Sequence, residues 1–338
     1  MSLFNSLAIS LSRRLGVQKP VDFTRILKKP GRILCFPAQD DGELLCAVPA
    51  IRALRKHYRD SLIALLIDED KRGLWHFDNE VDEVIDFRPR LVKGPASGES
   101  RRLKKIFRQR RFELLLDLNY RPLENLSHLF FRSDIEVRYG QETGRDYPFK
   151  NFLIKAEKLS ADEVIRNLDI IKPLGAQVAG HHPAWPKLVG LEGKREFRER
   201  LKEEGLKKGQ SVLALDGSHW KKRNFEKILQ ALALDQRLKL IVINPDEKMS
   251  QQMLNGQTVL NSPSAAEAAE ALSQARGFIG SKNDIFSIAY MLKVPSLITA
   301  GSQSLGLPLQ GDLLQIRRGK MPFEIGEQEL NIFLQKIF

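Results

Sequence analysis

The sequence predicts an α/β protein made of two Rossmann-like domains, each a parallel sheet covered by helices, with the two sheets facing a central cleft. Short β-like apolar runs alternate with helical patterns along the whole chain, which argues for strands joined by helical crossovers. The runs fall equally in the two halves, at 32–36, 62–67, 83–87, 113–118 and 135–139, then at 211–215, 239–243, 257–260, 277–280 and 296–299. Between the halves lies GAQVAGHHPAWPKLVGL, residues 175–191, whose Gly, Pro and His content and lack of periodicity mark a connection. The expected domains are therefore 1–175, with a basic N-terminal segment, and 176–338, whose amphipathic last segment, 324–338, is able to pack back on the first domain. Residues 160–174 read as the helix leading out of the first domain, with Ser160 as cap and Glu163 placed for a capping box.

Composition sets the bounds. A chain of 338 residues is long enough for two cores, and 42% apolar with 28% charged residues is a globular balance. No run approaches the roughly 20 apolar residues a membrane-crossing helix requires. The expectation is a cytoplasmic protein, able to sit peripherally on the inner membrane. Cys35 and Cys46 fall on a buried strand and a helix, where inert packing is expected rather than a disulfide. The six histidines show no metal-ligand spacing, and no Walker A loop, GxSxG elbow or catalytic cysteine context occurs.

The charge is uneven. Of a net +12, seven cations, Arg101, Arg102, Lys104, Lys105, Arg108, Arg110 and Arg111, crowd one predicted helix around Leu103, Ile106, Phe107 and Phe112. Such a face is either simply solvated or attracts an anionic surface. Leu3, Leu7 and Leu11, followed by Arg13 and Arg14, add an amphipathic stripe of the same character. Nucleic acid is the weaker partner, since no recognition motif accompanies the charge.

The segment AQDDGELLCAVPAIRALRKHY, residues 38–58, follows the strand Ile33–Phe36 and opens a helix at Gly42-Glu43. A strand, a glycine turn and a helix make a place where amides converge and a carboxylate can be aimed at a ligand. In the second half, SHWKKRNF, residues 218–225, follows the strand 211–215; its cations and turn amides suit a diphosphate, or make an ordinary solvated loop.

These landmarks, with Val48 to Leu54, Val81 to Ile85, Phe112 to Leu118, Leu174-Gly175 and Gly280 to Pro295, occur in an order that resembles glycosyltransferase family 9, the ADP-heptose:lipopolysaccharide heptosyltransferases. The resemblance spans nearly the whole chain and marks a divergent member. It implies a GT-B fold and an inverting, metal-independent glycosyltransferase. That enzyme moves a heptose-like sugar from a nucleotide-diphosphate donor, ADP-linked, to a lipopolysaccharide-core or related glycan acceptor. No cofactor is expected, and the implied partners are the nucleotide sugar, an anionic glycolipid acceptor and an anionic membrane surface.

By the resemblance, Glu43 stands where the family has a catalytic aspartate and is the candidate base; Asp40 and Asp41 are alternatives, and a role only at the helix N-terminus is the bland one. Ser218, Lys221 and Lys222 are the candidate donor-phosphate contacts, although the family's Trp-Pro is absent here. With a two-residue deletion Asn283 and Asp284 match the family's Asn-Asp; without gaps Lys282 replaces its aspartate, Asp284 its glycine and Ser287 its histidine. In both registers the glycine and histidine are lost, and Gly301 keeps one residue of its last loop. Clustered changes at the donor site leave an alternative, a catalytically silent GT-B relative serving as a binding or scaffold protein at the membrane.

Overall fold

Ile33 to Phe36, four successive buried residues of the first strand, show how these units are built: both faces of a parallel sheet are covered, so a strand reads as a continuous apolar run. The computed structural model describes residues 11, 20–39, 41–74, 80–94, 96–119, 124–143, 146, 148–159, 163–177, 191–218, 220, 222–244, 254, 256–281, 283–300, 314–318 and 327–337. The chain divides into two compact units, Met1–Ala184 and Trp185–Phe338.

In the first unit the elements run α1 (Phe23–Lys28), β1 (Arg32–Phe36), α2 (Asp41–Cys46), α3 (Val48–His57), β2 (Leu62–Asp68), β3 (Glu83–Phe87) and α4 (Gly98–Arg110). They continue through β4 (Leu114–Asp117), α5 (Glu124–Phe131), β5 (Val137–Gln141), β6 (Phe152–Ile154) and α6 (Glu163–Ile171). The second has α7 (Leu191–Glu203), β7 (Ser211–Asp216), α8 (Lys222–Ala233), β8 (Leu238–Ile243), β9 (Thr258–Leu260) and α9 (Ala265–Gln274). After these come β10 (Gly277–Ser281), α10 (Asp284–Met291), β11 (Ser296–Ala300), β12 (Leu314–Arg318) and α11 (Glu327–Ile337).

Each unit forms a six-stranded sheet, ordered β3-β2-β1-β4-β5-β6 and β12-β11-β10-β7-β8-β9. All the pairings are parallel. Read from its own first strand, the second sheet has the order of the first, the doubly wound arrangement of a Rossmann fold. Order reverses between β1 and β4 in one sheet and between β7 and β10 in the other. At those two points the loops diverge and leave a crevice at the carboxyl ends of the strands.

The sequence-predicted strands are all present, with one shifted: 135–139 is observed as Val137–Gln141, because Ile135 is buried ahead of the strand rather than in it. Two more strands complete the sheets. β6 is only three residues long and not fully buried, and β12 reads LQIRR, so neither carries an apolar run long enough to signal a strand.

The single helix expected from 38–58 is two. Pro49 lacks the N–H that would bond Leu45 and clashes with the preceding turn, so the chain breaks at Ala47 and Pro49 serves in the first turn of α3. Burial then secures α3 through Val48, Ile51 and Leu54. Leu174-Gly175 closes the short 3-10 turn after α6; Gly175 has φ +87°, and a Cβ there would also press on the His57 ring at 3.2 Å. Ser160 lies outside the described residues.

Phe36 anchors the core of the first unit, its ring edge-on to Phe87 and Phe130 at 6.1 and 5.4 Å, among Leu103, Phe107 and Leu115. The second core gathers Leu213, Leu215, Trp220, Phe225 and Leu240 with Leu330 and Phe333 of α11. The buried face of α11 is thus used within the second unit. Cys35 and Cys46 are free and buried, and burial pushes the Cys35 thiol up to about 12, against a smaller lowering by Arg55, which fits inert packing. Among the described residues, no helix is long and apolar enough to cross a membrane.

Candidate functional site

Both switch points carry polar side chains at the ends of otherwise apolar strands. In the first unit β1 delivers the chain to Gln39, whose side chain accepts from the Asp68 amide at 2.8 Å and donates to the Pro37 carbonyl, tying the turn to the end of β2. Glu43 follows in the first turn of α2, half-buried, with Leu44 and Leu45 fully buried behind it. That location suits a carboxylate for its helix position and for ligand contact alike. Asp40 lies outside the described residues, as does the side chain of Asp41.

Across the switch point, β4 ends in Asp117, paired in register with Phe36. Its carboxylate is buried, accepts from the Asn119 amide at 3.0 Å and faces the Lys150 ammonium at 3.2 Å. Lys150 also meets Asp146 at 3.2 Å and donates to the Gln141 carbonyl at 2.8 Å, so its three protons are matched by three acceptors. Asp146 is in turn fixed by the Thr143 amide at 2.6 Å and the Thr143 hydroxyl at 2.8 Å. Burial raises the Asp117 carboxyl above the usual range, with Lys150 opposing. Burial alone would lower Lys150, but Asp117 and Asp146 outweigh it and hold the amine above its ordinary value. The neighbouring Gly140 is dictated by space, because a Cβ would come within 2.6 Å of the Asp117 carbonyl oxygen.

In the second unit the switch point is a closed hydrogen-bond network. Asp216 ends β7 fully buried; its Oδ1 accepts from the Ser218 hydroxyl at 2.7 Å and the Ser218 amide at 3.2 Å, while its Oδ2 accepts from the Asn283 side-chain amide at 2.5 Å. Ser281, the last residue of β10, donates to the Ser218 carbonyl at 3.0 Å. Asn283 is also the N-cap of α10, accepting from the Phe286 amide at 3.0 Å. Gly280 lets the two strands and the Phe278 ring come together, since a Cβ there would lie 2.5 Å from that ring and 3.1 Å from the Asp216 Cβ.

Two candidates named from the sequence, Ser218 and Asn283, therefore meet through Asp216, and a third, Asp284, follows Asn283 in the first turn of α10. Lys222 is the first residue of α8, so half of the expected basic loop is helix; Phe225 and Trp220 belong to the core. Lys221, Lys282 and Gly301 lie outside the described residues, as does the side chain of Lys222. Asp216, Ser281, Asp117 and Lys150 were missed by sequence reasoning. A signal for the two carboxylates exists: LLLD and LALD each end an apolar strand in an aspartate, which a strand core does not ask for. Among the described residues, no group of three or more His, Cys, Asp or Glu side chains is placed to hold a metal ion.

No family model matches the sequence, and no curated protein does. Solved structures do. A glycosyltransferase family 9 protein from Veillonella parvula is 15% identical, with a TM-score of 0.72 over 92% of this chain and 97% of that one. An E. coli ADP-heptose lipopolysaccharide heptosyltransferase II is 15% identical, with a TM-score of 0.71 over 90% and 98%. An E. coli heptosyltransferase WaaC with ADP-2-deoxy-2-fluoro heptose is 17% identical, with a TM-score of 0.66 over 90% and 99%. What this likeness establishes is the fold: two helix-covered parallel sheets of the GT-B type, as in the structures of glycosyltransferase family 9.

Proposed function

We propose that the chain is a divergent member of glycosyltransferase family 9 and an inverting, metal-independent glycosyltransferase. It moves a heptose-like sugar from a nucleotide-diphosphate donor, ADP-linked, to a lipopolysaccharide-core or related anionic glycolipid acceptor. The observation that carries the reading is that Ser218 and Asn283 both bond to the buried Asp216 at the β7–β10 switch point, beside the N-termini of α8 and α10, with Asp284 next in the chain in the first turn of α10. Helix amides there favour a diphosphate, and Lys222 with Lys221 supplies cationic charge. Gly301 is assigned to the same donor site. Glu43 takes the proton of the acceptor hydroxyl as that oxygen bonds to the anomeric carbon; the bond from that carbon to the diphosphate breaks, and the nucleotide leaves with the electron pair. The work is cytoplasmic, at the inner membrane surface, towards which the exposed Arg101 and Lys105 of α4 are attracted.

A second reading rests on the same network. Asn283 spends one amide proton on Asp216 and its carbonyl on α10, so its side chain serves the fold, as in a catalytically silent relative that keeps the fold for binding or scaffolding. Calorimetry with ADP- and UDP-sugars separates the two. The transferase binds an ADP-sugar, and Lys222→Ala weakens binding by about tenfold or more, the loss of one charge-assisted contact. Absence of binding by any nucleotide sugar selects the silent relative.

A further inference from the structure

The first unit has a second concave feature at the opposite edge of its sheet. A cavity of about 650 Å³ is lined by Lys104 and Arg108 of α4, Phe131 and Arg132 at the end of α5, Ile135 ahead of β5 and Arg138 near its start. With all strands parallel, this amino edge lies a strand length from the carboxyl ends that carry Asp117 and Gln141, roughly 15 Å at about 3.3 Å per residue. It is therefore a place separate from the switch point.

Its charge is out of balance. Two carboxylates line it, and both are engaged: Asp134 pairs with Arg108 at 3.1 Å, and Glu136 with Arg25 at 3.6 Å. Lys104 and Arg132 have no carboxylate within ion-pair distance among the described residues. Arg138 is buried without a carboxylate; its guanidinium donates to the main-chain carbonyls of Phe149 at 2.6 Å and Ile135 at 2.5 Å and lies 5.5 Å over the Phe131 ring. A buried cation held by carbonyl dipoles keeps its charge, so among the described residues Lys104, Arg132 and Arg138 line the cavity without a carboxylate in ion-pair contact, and Asp134 offsets only part of the field at Lys104. Burial, and then repulsion from Arg108 and Arg132, holds the Lys104 amine below the ordinary lysine value.

We propose that this cavity binds the phosphomonoester group of a small organic molecule or of a lipid headgroup. Lys104 and Arg132 would bind the dianion, with the buried Arg138 adding to the positive field and Arg108 held by Asp134, and Phe131 and Ile135 would cover its carbon skeleton. Both α4 and the residue after α5 contribute cations to the lining, and forked guanidiniums match the oxygens of a phosphate. The volume falls within the range of small-ligand sites. A nucleic acid backbone would instead call for a track of cations along the surface.

The test measures the full-length protein against inorganic phosphate and glycerol 3-phosphate by calorimetry, and against phosphatidylcholine vesicles with and without phosphatidic acid by co-sedimentation. A phosphate probe binds the wild type, and Lys104→Ala with Arg132→Ala weakens it by about tenfold or more, while Lys104→Arg retains it. Binding of the soluble phosphates assigns a free metabolite; binding of phosphatidic acid vesicles alone assigns the lipid headgroup. Arg132→Glu, at an exposed position, serves if the double variant does not fold, and it too must lose binding. The proposal is overturned if no phosphate probe binds, if plain phosphatidylcholine is bound equally well, or if these variants bind like the wild type. ADP-sugar binding is measured alongside and is expected to be unchanged, so this result is independent of the transferase reading.

Discussion

Lys150→Met is expected to destabilise the protein by about 3–5 kcal/mol at neutral pH, the range for removing one partner of a buried ion pair. Lys150 stands between Asp117 and Asp146 with every proton placed, and all three groups are buried. Methionine fills the volume but leaves two buried carboxylates without a cation. The pH dependence has a definite sign. The folded value of Asp117 is already raised by burial, so keeping it ionised costs stability, and that cost grows as pH rises from the unfolded carboxylate value through the folded one. Removing Lys150 raises the folded value further and widens this window upwards. The deficit of the variant should therefore shrink as pH falls, since a protonated carboxyl needs no counter-ion. In the wild type the raised Lys150 contributes stability that is fully present below the unfolded lysine value and lost as pH rises through the folded one. Urea unfolding of variant and wild type at neutral and mildly acidic pH measures the deficit; an equal deficit at the two would mean that lost packing, not charge, is responsible.

Glu43→Gln should lower the rate of sugar transfer by about 10²–10⁴-fold, the usual loss when a positioned general base is removed, with KM little changed. The amide keeps the shape and the hydrogen-bonding reach of the carboxylate but does not accept the acceptor's proton. Leu44, Leu45 and Cys46 hold α2 through burial, so thermal unfolding should be unaltered. If the Glu43→Gln variant transfers sugar as fast as the wild type, Glu43 is a helix N-terminal residue and the base lies elsewhere.

Much of the fold is legible because parallel strands are buried on both faces: LIALLI, LLLD, VLALD and LKLIVI each announce a strand without reference to partners. The strands that escaped, β6 and β12, sit at the ends of the strand orders, where one neighbour is missing and a short or polar sequence suffices. The break at Ala47 was readable from Pro49 but was masked by the helical spacing of Val48, Ile51 and Leu54 around it. Ser218, Asn283 and Asp284 were named as candidates through the order of motifs, whereas Asp216 at the second switch point and Lys150 at the first were not. Their roles depend on which strand ends meet: Asp216 gains meaning only when β10 brings Asn283 to it, across 67 residues of sequence. Lys150 lies in no periodic pattern, and only the fold places it between two carboxylates.

A crystal structure with ADP soaked in tests the central claim most directly. The account expects the diphosphate at the Ser218–Lys222 turn and the N-terminus of α10, with Asn283 and Lys222 within hydrogen-bond distance of its oxygens. ADP absent at saturating concentration, or bound away from the β7–β10 switch point, would contradict it.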